Sequence, residues 1–94
     1  MSPTTPAELS VTQAEQADLE RLAAELSTRG LKTMLVTGDG RPPCLHVVNP
    51  EAAALSERVF AQADFFWWPW AQVIDRRDQP AAAAAAITRV LRTV

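Results

Sequence analysis

Three features of this 94-residue sequence predict one α+β domain. Helical apolar spacing is confined to its two ends, short β-branched and aromatic runs separated by turn residues fill the middle, and the length leaves no room for a second core. The expected order is α-β-β-short α-β-β-α. It forms a four-stranded, mainly antiparallel sheet with the N- and C-terminal helices packed on one face.

The opening residues MSPTTPAELS hold neither a basic region nor an apolar stretch, so they do not read as a signal or transit peptide. Residues 1–11 are expected to be a disordered tail and residues 12–94 a single domain. Thr12 and Glu15 have capping-box spacing and predict a helix start. Leu19, Leu22, Ala23 and Leu26 then form one apolar stripe, with Glu15, Asp18, Glu20, Arg21 and Glu25 on other faces. Arg29 suits the negative end of the helix dipole. Gly30 is placed for a left-handed C-cap, with Leu31 folding back onto the helix.

Leu31 to Thr37 and Cys44 to Val48 predict a hairpin turning at Gly38-Asp39-Gly40. Pro42 and Pro43 cannot donate to a ladder and should hold the start of the second strand at an edge. Leu45 and Val47 point one way; Cys44, His46 and Val48 point the other. Asn49-Pro50-Glu51 spells a helix start, here a short helix ending near Leu55. Arg58-Val59-Phe60 predicts a third strand, turning at Gln62-Ala63-Asp64 into a fourth, Phe65 to Trp68, which Pro69 ends. Asp75 to Gln79 reads as a charged connector. Pro80 then opens a helix of six alanines, Ala81 to Ala86, whose stripe continues through Ile87, Val90, Leu91 and Val94.

A net charge of -2 provides no global attraction to nucleic acid or to an anionic membrane. The charge is uneven: residues 1–57 carry four basic against eight acidic side chains, and residues 58–94 five against three. Such asymmetry could orient two copies or a partner. The single cysteine, Cys44, can close no internal disulfide, and a reducing cytoplasm is the simplest compartment. The most apolar run, Val59 to Ile74, is interrupted by Gln62, Asp64, Pro69 and Gln72, so no membrane span is expected.

The most distinctive segment is Phe65-Phe66-Trp67-Trp68-Pro69-Trp70, which holds all three tryptophans. Strand alternation puts Phe66 and Trp68 on one face and Phe65 and Trp67 on the other, and Trp70 follows the Pro69 bend. One core cannot easily take all five rings. Phe65, Phe66, Trp67, Trp68 and Trp70 are therefore the candidate interaction residues, for a protein partner or a second copy.

Cys44 and His46 emerge on one face, as a thiolate–imidazole pair would, yet no orienting carboxylate lies nearby in sequence. As metal ligands they are half of a tetrahedral zinc set. Gly38-Asp39-Gly40 lacks the following Lys-Ser/Thr of a phosphate loop. Arg76-Arg77 is flanked by Asp75 and Asp78 and reads as a solvated connector.

Asn49-Pro50, Leu55-Ser56-Glu57-Arg58-Val59, Phe66-Trp67-Trp68-Pro69-Trp70 and the Ala-rich stretch into Ile87 to Leu91 together resemble a group of small actinobacterial proteins of unassigned activity. The resemblance implies a bacterial cytoplasmic protein whose aromatic strand belongs to the fold. It carries over no catalytic residue. The expected function is that of a non-enzymatic accessory or interaction protein without cofactor, binding through an aromatic sheet face, with homodimerisation its simplest form. The alternative is a small-ligand pocket between sheet and terminal helix, floored by alanines, walled by tryptophans and anchored by His46 or an arginine.

Overall fold

In a computed structural model of the chain, residues 6–38, 41–52 and 54–92 are described, with side chains over 13–38, 42–52 and 54–91. Helix α1 (Pro6–Thr28) leads into β1 (Lys32–Gly38), β2 (Arg41–Val48), β3 (Ser56–Gln62), β4 (Phe65–Trp67) and β5 (Val73–Arg76), and α2 (Pro80–Arg92) follows. The five strands form an antiparallel sheet in sequence order, β1-β2-β3-β4-β5. The class is α+β as predicted, with one strand more and one helix fewer.

Helix α1 starts at Pro6, not at Thr12. A proline needs no hydrogen bond in a first helical turn and its φ is already helical. Of the expected tail over 1–11, residues 6–11 stand in this helix and residues 1–5 lie outside the described residues. The far end follows its sequence signal. Gly30 has φ 85°, its N–H donates to Ser27 O at 3.1 Å, and the Leu31 N–H donates to Leu26 O at 3.2 Å. This is the Schellman arrangement, closed by burial of both Leu31 and Leu26.

The β1–β2 hairpin forms as expected, with the Asp39-Gly40 turn outside the described residues. Strand β2 lies between β1 and β3, and its start stands at an edge on the β3 side, as expected. Its prolines are tolerated because pairing with β3 begins only at Cys44, beyond them, and the β1 register shifts opposite, between Val36 and Gly38.

Among the described residues after Asn49 no short helix is found. Val48 and Ser56 are directly paired, so residues 49–55 must close a loop, and the Asn49 N–H donates to Leu55 O at 3.0 Å. One helical turn would not offset its own nucleation cost here. Asn49 still caps locally, its Oδ1 accepting from the Glu51 N–H at 2.9 Å. Its Nδ2 donates to Leu91 O at 2.9 Å and so pins the end of α2.

The stretch after Pro69 holds the strand that the sequence reading missed. Trp68 N–H donates to Gln72 O at 2.8 Å and Ala71 N–H to Trp68 O at 3.0 Å, a turn that returns the chain as β5. Ala71 has φ 65°, and Ala63 in the β3–β4 turn has φ 54°. Both turns use a left-handed residue without the glycine that ordinarily announces one.

The core lies between the helices and one sheet face. Leu19, Leu22 and Leu26 of α1 and Ala83, Ala84, Ile87 and Leu91 of α2 cluster with Leu45, Val47, Val59, Ala61, Phe66 and Trp68. Ala83 and Ala84 are fully buried, and Val90 stands exposed at the side of the stripe expected to include it. Val94 lies outside the described residues.

Candidate functional site: the open face of the sheet

Because directly paired residues in an antiparallel ladder point to the same side, the register sorts every strand position onto the helix-covered face or the other. Leu35, Leu45 and Val59 form a covered row. On the uncovered side the pairs Val36–Cys44, Cys44–Phe60, Phe60–Trp67 and Trp67–Val73 join end to end. One apolar row thus crosses the whole sheet, roughly 19 Å at about 4.8 Å per strand. Met34, His46 and Arg58 make the row on one side of it, and Gln62, Phe65 and Arg76 the row on the other.

Exposure along this face is high for such side chains: Met34 is 64% exposed, Val36 44% and Val73 42%. Phe60, Phe65 and Trp67 are half-buried by one another. The Phe65 and Trp67 rings meet edge to face at 6.1 Å, and the Trp67 Nε1–H donates to Gln62 O at 3.0 Å. Their positions are held before any partner arrives.

The five rings singled out from the sequence separate into three environments. Phe66 and Trp68 belong to the core, Phe66 fully buried and Trp68 reaching the surface only by an edge. Phe65 and Trp67 lie on the open face. Trp70, 53% exposed, stacks on Trp68 at 5.1 Å and 6° in the β4–β5 turn, with its Nε1–H on Gln72 Oε1 at 2.8 Å. Met34, Val36, Phe60 and Val73 complete the patch and were not singled out. Strand alternation from Cys44 would have found the first three; Val73 was hidden with the strand that carries it.

A hollow of about 590 Å³ opens on this face, lined by Val36, Thr37, Pro42, Cys44, His46, Arg58 and Phe60, with Gly38 at its rim. A smaller one of about 320 Å³ adjoins it, lined by His46, Ser56, Glu57, Arg58 and Pro69. A third, also about 320 Å³, runs along Phe60, Gln62, Trp67, Trp68 and Pro69. A further hollow of about 520 Å³ reaches the start of α2 at Pro80, beside Arg76, Arg77 and Asp78, but its lining includes neither the α2 alanines nor the tryptophans that the alternative reading called for. The small side chains of α2 serve close approach of the helix.

Cys44 and His46 share the open face as expected, Cys44 nearly covered and His46 half-buried. Among the described residues no hydrogen bond joins them to each other or to a carboxylate, and no group of three or more His, Cys, Asp or Glu side chains gathers as a metal site. The charged side chains of the open-face rows are cationic: Arg58 and Arg76, with Lys32 in the outermost row Lys32–Val48–Ser56. Arg76 is neutralised by Asp78 at 3.0 Å, and that hydrogen bond holds the Asp78 carboxyl below its ordinary range while raising Arg76.

Arg77 departs from its reading as a solvated connector. Its Nε donates to Asp18 Oδ2 at 2.8 Å, its Nη1 to Ala63 O at 2.7 Å, and its N–H to Asp64 O at 2.9 Å. Asp18 also pairs with Arg21. The residue ties α1 to the β3–β4 turn on the side away from the open face.

Among the described residues no helix is long and apolar enough to cross a membrane. No protein-family model, curated protein or solved structure matches the chain.

Proposed function

We propose that the chain is a non-enzymatic interaction module whose open sheet face docks a second copy of itself. The observation that carries this reading is the apolar row Val36, Cys44, Phe60, Trp67, Val73, which runs across all five strands on the side opposite the helices. Water against such a row is released when an equally apolar surface covers it, and the row is its own complement. A two-fold axis lying along the row sets each of its residues on its counterpart. It also turns the Met34–His46–Arg58 row of one copy over the Gln62–Phe65 row of the other, so Arg58 does not meet another Arg58.

Edge pairing is a poorer route to association. The β1 edge carries Lys32 and the irregularity between Val36 and Gly38, and the β5 edge is only four residues long. The face measures roughly 24 Å by roughly 20 Å from strand spacing and rise. That lies at the small end of specific interfaces, which fits a reversible dimer with a dissociation constant on the order of 10 micromolar.

Sedimentation over a concentration series, read together with tryptophan emission, tests this. The expected result is a concentration-dependent dimer whose emission moves to the blue as Trp67 is covered. Val36→Glu, at an exposed position, should keep the far-UV spectrum and remain monomeric at every concentration. A wild-type chain that stays monomeric up to about 1 mM, far above such a dissociation constant, overturns the reading, as does a Val36→Glu variant that dimerises normally.

A further inference from the structure

We infer that the hollow over Cys44 binds a small monocarboxylate with an apolar body, held by Arg58. The hollow belongs to a single chain, so this does not rest on self-association. Its volume of about 590 Å³ falls in the range of small-ligand sites, and its walls are mainly apolar, from Val36, Pro42, Cys44 and Phe60.

The polar anchor is marked by what it lacks. Arg21, Arg76 and Arg77 are each paired with an aspartate, Arg29 donates to Ala81 O, and Arg89 has a partner as well. Among the described residues, Arg58 is the one arginine whose side chain makes no hydrogen bond or ion pair with another described residue. It stands in the wall of the hollow beside His46, which is also unpartnered. The carboxylate beside them among the described residues is Glu57, which lines the adjoining hollow but, paired with Val47, belongs to the covered side of the sheet and makes no ion pair with either.

A guanidinium presents two parallel N–H groups that match the two oxygens of a carboxylate. One such fork beside one imidazole suits a single negative charge; a phosphate dianion calls for more donors. The apolar walls then select a body the size of an aromatic ring over a bare anion.

Phenylacetate titrated into the ¹⁵N-labelled chain, at a protein concentration where it is monomeric, tests the site. Saturable shifts are expected at Val36, Cys44, His46, Arg58 and Phe60. Phenylacetamide, of the same shape without charge, should bind at least about tenfold more weakly, and so should phenylacetate to Arg58→Gln, as loss of a charge-assisted hydrogen bond implies. Inorganic phosphate alone should leave these resonances in place.

Absence of saturable shifts below about 10 mM, the weak end of small-ligand binding, overturns the inference. An equal response to phenylacetamide or from Arg58→Gln removes Arg58 as the anchor, and an equal response to phosphate removes the apolar selection. Arg58 is exposed, so the variant's fold is not at stake. A chain that never dimerises leaves this test intact. One that does should dimerise less readily with phenylacetate bound, since both cover the same face.

Discussion

At the scale of single residues, Asn49 serves both its own loop and the end of a distant helix. Among the described residues it is the one buried polar side chain, with its Oδ1 on the Glu51 N–H and its Nδ2 on Leu91 O. Replacement by alanine leaves the Glu51 N–H and the Leu91 carbonyl each short of a partner. Asn49→Ala should therefore cost about 2–3 kcal/mol, read as a lower urea midpoint, and Asn49→Asp should recover only the Glu51 contact. The local half of this role is legible in Asn-Pro-Glu; the contact with Leu91 is 42 residues away in sequence and has no local signature.

At the scale of elements, α2 shows what an alanine run accomplishes. Ala83 and Ala84 are fully buried against α1 and the sheet, and Ile87 and Leu91 continue the contact. Ala84→Leu places a large side chain where no room exists. It should destabilise the fold by about 1–3 kcal/mol despite raising apolar content, whereas the same change at the exposed Ala82 should be near neutral in thermal unfolding. The aromatic strand is the second lesson at this scale. Phe66 inside and Phe65 and Trp67 outside follow from the period of two alone. Strand β5 does not, because Val73–Arg76 is short, follows a turn without glycine, and pairs through a register shift between Phe66 and Trp67.

At the scale of the molecule, one cluster joins both helices to the sheet, and the Asp18–Arg77 pair adds a polar link between segments 59 residues apart. Trp68 lies within that cluster. Unfolding in urea should then be a single transition, with tryptophan emission and far-UV dichroism coincident. Arg77→Ala should lower both midpoints together by about 1–2 kcal/mol. Two separated transitions would show that the helices and sheet do not form one cooperative unit. This core covers only one side of the sheet. The other side is left with Met34, Val36, Phe60, Trp67 and Val73 together, and both proposals arise from that asymmetry.

What the sequence by itself determined is what depends on neighbours in the chain. The α1 stripe and its Gly30 cap, the β1–β2 hairpin, the alternation of Phe65 to Trp68 and the α2 stripe are periodicity and turn chemistry acting over a few residues. Tertiary structure alone decided the fifth strand, the loop in place of a short helix after Asn49, the partners of Arg77, and which apolar side chains share the uncovered face. Those outcomes depend on pairing and packing between distant segments: Val48 with Ser56 forces a loop to close, and five strands in register bring Val36 and Val73 onto one row. Local periodicity determines which way a side chain points, and only the assembled sheet determines what stands beside it.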